Sequence, residues 1–140
     1  VTLAERVDVT VAIVNWNTRD LLKACIQSVA GGMGRLRPKI VVVDNSSTDG
    51  SVAMLAREFP SVETIANQAN LGYAHGNNQA LTVAQGRYFL LLNPDTLVRP
   101  LAIERMADFL DTHPEVIGVT CKLLNLDGSF QRYYKRLPTW

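Results

Sequence analysis

The chain has 140 residues, 47% of them hydrophobic, and a formal net charge of +1. That length suits one domain with a core of its own. The near-neutral balance excludes a basic footprint for nucleic acid, and no apolar run nears the roughly 20 residues of a membrane span. Val1 to Asp8 carries charges but no apolar signal-peptide core. Cys25 and Cys121 are far apart and lack metal-type spacing, so they read as buried reduced thiols, pointing to the cytoplasm.

Val9 to Val14 is β-branched and apolar, which predicts a buried strand ending at Asn15-Trp16-Asn17. Thr18 then suits an N-cap, with Asp20 in the first turn of a helix. Leu21, Leu22, Cys25, Ile26 and Val29 give that helix an apolar face, and Gly31 to Gly34 ends it. Lys39 to Val43 predicts a second buried strand, ending at Asp44-Asn45-Ser46-Ser47-Thr48-Asp49-Gly50. A helix through Val52, Leu55, Ala56 and Phe59 follows and closes at Pro60. Val62 to Ile65 is a shorter strand. Asn67 to Asn78 is a polar loop leading into a helix over Asn77 to Gln85, ended by Gly86.

Tyr88 to Leu92 is an apolar run stopped by Pro94, which has no N–H to give to a ladder. It predicts a central strand buried on both faces. Pro100 suits the first position of a helix whose apolar face is Leu101, Ile103, Met106, Phe109 and Leu110, closed by His113-Pro114. Val116 to Leu124 predicts another strand, Asp127-Gly128 a turn, and Ser129 to Arg136 a returning strand. Strands alternating with helices indicate an α/β domain with a mostly parallel sheet.

The polar residues gather where strands end, at Asn15 to Asn17, Asp44 to Asp49, Asn67 to Asn78 and Asn93 to Asp95. All four sets should share one rim of the sheet, the edge where ligands bind in open α/β folds. Asp44 can accept from an imide N–H or a ribose hydroxyl, or cap the next turn. Asp49 suits the cap of the following helix. Trp16 can stack on a base or sugar, or lie in the core. Gly72, after Asn70, allows a close backbone approach or a tight turn. Asn78 can bond across the loop or face water. Asp95 can cap a turn, or hold Mg²⁺ or Mn²⁺, whose hard-oxygen shell needs only one or two protein carboxylates when a diphosphate brings the rest. No Gly-rich, Lys-containing phosphate loop and no GxGxxG follows the first strand. His75 and His113 suit surface or structural roles. Arg132, Lys135 and Arg136 approach a phosphate or solvate an edge strand.

Val11 to Asn17, Val42 to Ser51, Asn70 to Asn78 and Leu91 to Thr96 together resemble the family 2 glycosyltransferases, nearest the bacterial rhamnosyltransferase-like branch. The resemblance runs from Val9 to about Pro138. It implies a GT-A fold, Rossmann-like, with a mostly parallel sheet flanked by helices. It also implies a nucleoside-diphosphate-sugar donor, UDP- or dTDP-linked, with Mg²⁺ or Mn²⁺ and inversion at the anomeric carbon. The acceptor would be a sugar or a lipid-linked glycan. By the same resemblance Asp44 reads the base, Asn15, Trp16 and Asn17 cup it, and Asn70 and Gly72 lie under the nucleotide. Asn93-Pro94-Asp95 takes the place of the DXD motif. Asn93 replaces its first aspartate, which leaves Asp95 as the metal ligand and Asn93 as a donor to ribose or phosphate.

Family members continue into a segment carrying the acceptor site and a carboxylate base, usually in a Glu-Asp pair. No such pair precedes Pro138-Thr139-Trp140. The expectation is therefore one domain over 1–140, the donor-binding portion of a longer enzyme of cell-surface polysaccharide synthesis, with its general base beyond Trp140. It would be cytoplasmic, with peripheral association at the inner membrane face and homo-oligomerisation both open. The rival expectation is a non-catalytic nucleotide-sugar-binding or assembly module. A nucleotidyltransferase is a weaker rival, because Asn15 to Thr18 supplies no basic loop for a triphosphate.

Overall fold

The structure is a computed structural model that describes residues 6–132. The elements run β1 (Val9–Asn15), α1 (Arg19–Gly32), β2 (Pro38–Asp44), α2 (Ser51–Glu58), β3 (Glu63–Ala66), α3 (Tyr73–Thr82), β4 (Tyr88–Leu92) and α4 (Ala102–Thr112). The four strands form one sheet in the order β3-β2-β1-β4, every pair parallel. The chain divides at Arg105, within α4, into two compact units, Val1–Arg105 and Met106–Trp140. The sheet and all four rim segments belong to the first.

β1 and β2 are interior strands, and Val11, Ala12, Ile13, Val41, Val42 and Val43 are fully buried. Register partners share a face, and successive residues alternate between faces. Ala12, Val14, Val41 and Val43 pack with Ala80 of α3, joined by Ile65, Val83 and Phe89. α3 therefore covers this face. The connections from β1 to β2 to β3 run in one direction across the sheet, and the connection from β3 to β4 runs back. Right-handed crossovers then place α1 and α2 on the opposite face. The two helices touch each other there, and α1 buries Leu22, Cys25, Ile26 and Val29.

Four expectations from the sequence are corrected. β4 is an edge strand among the described residues rather than a central one, and Leu91 is 51% exposed. Its apolar run gives strand character, but burial on both faces needs a layer packed over each of them, and Leu91 stays half exposed. α3 begins at Tyr73 and ends at Thr82, ahead of the expected helix. Pro100 stands two residues before α4, and Leu101 between them has φ of 60°, so the proline does not open the helix. Finally, Val116 to Leu124 forms no strand. In the second unit Leu124 and Phe130 make one isolated antiparallel bridge around Asp127-Gly128. Gln131 and Arg132 continue no strand, and residues 133–136 of the expected returning strand, with Lys135 and Arg136, lie outside the described residues. His113 stacks on Phe109, ring centroids 4.1 Å apart, a structural role within that unit. Both cysteines are free thiols; Cys25 is buried and Cys121 partly so.

Asp49 joins two helix starts. Its Oδ1 accepts from the N–H and hydroxyl of Ser51, the first residue of α2, and its Oδ2 accepts from Arg19 N–H at the start of α1. The Thr18 hydroxyl donates instead to Asn15 Oδ1, so Asp49 rather than Thr18 serves the first amide of α1. Partial burial opposes the charge on Asp49. The hydrogen bonds from the Ser51 hydroxyl and the Arg19 and Ser51 amides outweigh it and hold the carboxyl below its ordinary range.

Two glycines offer a matched test of packing. A Cβ on Gly76 would lie 2.9 Å from both γ-carbons of Val14, a stiff side chain in a full core, whereas a Cβ on Gly31 of α1 meets nothing within 4 Å. Overpacking costs about 1–3 kcal/mol, and removing a helical glycine gains at most about 1 kcal/mol. Gly76→Ala should lower the urea midpoint, while Gly31→Ala should raise stability by roughly 0.5 kcal/mol near its helix end. Asp49 supplies a pH test. A lowered folded-state pKa gives stability that is present above the ordinary carboxylate range, about 4, and lost as pH falls through it. Urea midpoints between pH 5 and pH 3 should fall more steeply for the native chain than for Asp49→Asn.

Candidate functional site

The strand ends meet at one rim, and strand alternation sorts their side chains between the two faces. Asn15 and Asp44 are register partners. They follow Ile13 and Val42 onto the face opposite α3. Both are buried, Asn15 fully and Asp44 to 1% exposure. Asn15 Nδ2 donates to Asp44 Oδ2 at 2.7 Å and to Ser47 Oγ at 3.1 Å. Ser47 N–H donates to Asp44 Oδ1 at 2.8 Å. The turn-capping role open to Asp44 is thus realised, with both carboxylate oxygens engaged by the protein. Asn17, at φ of 53°, completes the knot. Its N–H donates to Ser47 Oγ, and its Oδ1 accepts from Thr48 N–H. Trp16, between the two asparagines, is 56% exposed, so it lies outside the core.

The residue after β2, Asn45, turns to the α3 face. It is 2% exposed. Its Nδ2 donates to Gly72 carbonyl, and its Oδ1 accepts from Asn67 Nδ2. Asn67 and Gln79 of α3 exchange two further amide hydrogen bonds. Asn70 Oδ1 accepts from Gly72 N–H. Gly72 has φ 83° and ψ 168°, a region open essentially to glycine alone, and a Cβ there would meet nothing within 4 Å. Backbone conformation demands this glycine, and the space beside it stays open. Gly72 carbonyl also accepts from Gly76 N–H, so the loop leads directly into α3. Asn78 and His75 are exposed.

Asn77, adjacent to Asn78, was not singled out by the sequence. It is 8% exposed, and its Nδ2 donates to Tyr73 carbonyl. Its Oδ1 is buried without a partner. Such an orphan acceptor costs about 1–3 kcal/mol. Helix geometry places it. Gly76 sits on Val14, and Gln79 lies on the flank toward β3, where it bonds Asn67. Asn77 is two residues from Gln79, about 160° around the helix axis at 3.6 residues per turn. It therefore lies on the flank toward β4. Ile13 pairs with Leu92, so Val14 is level with Asn93, and Asn77 falls at the height of the turn after β4.

That turn carries Asn93 and Asp95, both exposed. Thr96 N–H donates to Asn93 carbonyl and closes it. Beneath lies Cys25 of α1, whose Sγ donates to the same carbonyl at 3.5 Å. Burial first, and then the nearby Asp95 charge, push the Cys25 thiol up to about 12, so it stays a protonated donor at neutral pH. Among the described residues no group of three His, Cys, Asp or Glu side chains can hold a metal ion. Asp95 offers one exposed hard-oxygen ligand. That set does not make a protein cage, but it fits Mg²⁺ or Mn²⁺ whose shell is completed by ligand oxygens and water.

A recess between the first turns of α1 and the length of α2 is lined by charges that are already paired, Arg19 with Asp20, and Lys23 and Arg57 with Glu58. It offers little unopposed charge to a ligand. No helix among the described residues is long and apolar enough to cross a membrane.

The profile of the glycosyl transferase family 2 matches residues 10–138. The succinoglycan biosynthesis protein ExoO of Rhizobium meliloti (strain 1021) is 31% identical over 138 residues, covering 94% of this chain and 39% of that protein. S. aureus TarS 1-349 in complex with UDP-GlcNAc superposes with a TM-score of 0.67 at 21% identity, over 76% of this chain and 32% of that one. The mannosyltransferase PcManGT from Pyrobaculum calidifontis, in complex with GDP-Man and Mn²⁺, gives 0.64 at 24% identity, over 75% and 32%. The chain thus spans about two fifths or less of the length of these relatives. The solved structures share its fold, a GT-A-type parallel sheet flanked by helices. With the family profile matched over nearly its whole length, the chain belongs to glycosyl transferase family 2.

Proposed function

We propose that this chain binds the nucleoside-diphosphate-sugar donor of a glycosyltransferase, with transfer to an acceptor hydroxyl in cell-surface polysaccharide synthesis. The observation that carries the reading is the exposed carboxylate of Asp95 after β4, with register and helix geometry setting the buried, unpartnered acceptor of Asn77 toward the same rim. A metal-bound diphosphate answers the exposed carboxylate. The relatives crystallised with UDP-GlcNAc and with GDP-Man and Mn²⁺ lend support to the donor class and the cation. For this chain the resemblance favours a UDP- or dTDP-linked sugar.

The rim residues divide into two groups. Trp16, Asn70, Gly72 and Asn93 are exposed and supply a stacking ring, a loop floor and an amide donor. Asn15 and Asp44 lie buried one layer below and, with the exposed Asn17, hold the loops after β1 and β2. Asp44, expected to read a base directly, influences base binding in this reading through the loop it orders. Asp95 would hold Mg²⁺ or Mn²⁺ together with the diphosphate, and Asn93 would donate to ribose or phosphate. The cation would supply charge neutralisation for the departing diphosphate.

In an inverting transfer the acceptor oxygen bonds to the anomeric carbon as the bond to diphosphate breaks, and a base takes the hydroxyl proton. Asp44 is buried and fully engaged, Asp49 is held by two helix starts, and Asp95 is given to the cation. This reading therefore places the general base, with the acceptor site, in the part of the longer enzyme beyond residues 1–140.

Two measurements test the reading. In calorimetric titrations, UDP or dTDP should bind more tightly with Mn²⁺ than without it, and Asp95→Ala should remove at least tenfold of that enhancement while the fold persists. Binding indifferent to Asp95→Ala would count against the site. Asn77→Leu should separate stability from function. It removes an unpartnered buried acceptor together with the Nδ2 bond to the Tyr73 carbonyl, so unfolding free energy should hold or rise by up to about 1 kcal/mol, while nucleotide affinity drops several-fold. Lower stability with unchanged affinity would make Asn77 a structural residue only.

A further inference from the structure

The segment that carries Asp95 forms no helix or strand between β4 and α4. It is positioned largely by α1. Cys25, Ser28 and the pair Gly31-Gly32 recur at helical spacing along one side of α1, and each meets the segment in turn. Cys25 Sγ donates to Asn93 carbonyl at 3.5 Å. Ser28 Oγ accepts from Val98 N–H at 2.9 Å while donating to Cys25 carbonyl at 2.7 Å. Gly31 carbonyl accepts from Leu101 N–H at 3.1 Å. A Cβ on Gly32 would overlap Val98 Cγ1 and sit 3.4 Å from Arg99 carbonyl, so only glycine lets the segment lie this close.

These contacts bracket Asp95. Cys25 holds the residue two before it, and Ser28 holds the residue three after it. The turn itself closes through Thr96 N–H and the carbonyl that Cys25 also serves. A turn with one internal hydrogen bond has little rigidity of its own. Its geometry is set by the side chains to which it is tied.

We propose that Cys25 and Ser28 are positioning residues for the donor site: they fix the Asn93–Thr96 turn from below and thereby set the affinity of Asp95 for a divalent cation. The inference rests on the donor-binding reading above. Cys25 acts as a neutral hydrogen-bond donor in a closed environment and takes no part in bond making. Ser28 acts as a relay, since its hydroxyl joins the backbone of α1 to the backbone that follows the metal turn. The same helix begins at Arg19, whose amide is held by Asp49. α1 therefore ties the loops after β1 and β2 to the turn after β4.

The test uses Mn²⁺ and UDP as probes with the 140-residue chain and its Cys25→Ala, Cys25→Ser and Ser28→Ala variants. Met54→Val, a core change in α2, controls for general destabilisation. Mn²⁺ binding in the presence of UDP is followed by the paramagnetic resonance of the free ion, UDP binding without metal by calorimetry, and amide exchange at Val98 by NMR. Cys25→Ala and Ser28→Ala should weaken Mn²⁺ binding at least fivefold and change metal-free UDP affinity less than twofold. Cys25→Ser, which keeps a donor, should restore most of the loss. Exchange at Val98 should accelerate about tenfold in Ser28→Ala. Mn²⁺ affinity within twofold of the native chain in both alanine variants, or an equal loss in Met54→Val, would overturn the proposal. If the native chain itself binds neither UDP nor Mn²⁺, the donor-binding reading fails, a result distinct from variants that bind as the native chain does.

Discussion

The hydrogen bond between the Asn15 amide and the Asp44 carboxylate is the constraint on which the rim depends. Both side chains are buried at the carboxyl ends of neighbouring central strands, where an unpaired carboxylate would be strongly penalised. A bond to a charged acceptor is worth roughly 1.5–3 kcal/mol, and leaving the acceptor unpaired costs more. The requirement then spreads outward. Asn15 Nδ2 also reaches Ser47, Asn15 Oδ1 takes Thr18, and Asn15 carbonyl takes Asn45 N–H. One buried pair thus fixes where β1 stops, where α1 starts and how the loop after β2 folds back. Asn17 and Ser46, both with positive φ, are the local strain that this arrangement sustains.

The sheet divides the polar residues into two populations with different physics. On the α1 and α2 face, Asn15, Asp44 and Asp49 are satisfied by the protein and build the scaffold. On the α3 face, Asn45, Asn67 and Gln79 form a second satisfied network that holds the Gly72 loop. Toward β4 lie the buried, unpartnered Asn77 acceptor, the exposed Asn93 and Asp95, and the half-exposed Leu91.

The interior strands were legible because Val9 to Val14 and Val41 to Val43 are buried on both faces, and such a run carries the same signal whatever lies beside it. The same property hid the assignment of faces. In a fully apolar strand no alternation tells which side Asp44 or Asn45 will take, and only the packing of Ala80 against Val41 and Val43 decides it. β4 shows the converse. Its composition is that of an interior strand, but burial belongs to the sheet order and not to the run. α3 was placed too late because Gly72 and Gly76 depress helix propensity. Gly76 is tolerated for packing on Val14, and that shift concealed Asn77. Val116 to Leu124 has β-branched residues without a strand partner among the described residues, so propensity alone did not make a strand.

Cys25 illustrates why a site can be visible in a sequence while its supports are not. Its helical spacing with Leu22, Ile26 and Val29 gave it a place in an apolar face, and nothing in that spacing distinguishes it from them. Its difference appears only where the chain returns after β4 and presents a carbonyl that no strand or helix claims. A leucine at this position would fill the space but offer no donor, and the Asn93 carbonyl would keep only the Thr96 amide. The turn bearing Asp95 is thus specified by two distant stretches, a Pro-containing motif that stops a strand and a helix side that receives it. In the donor-binding reading proposed above, such a site would be held from below by α1 and would present the exposed carboxylate of Asp95 to the ligand.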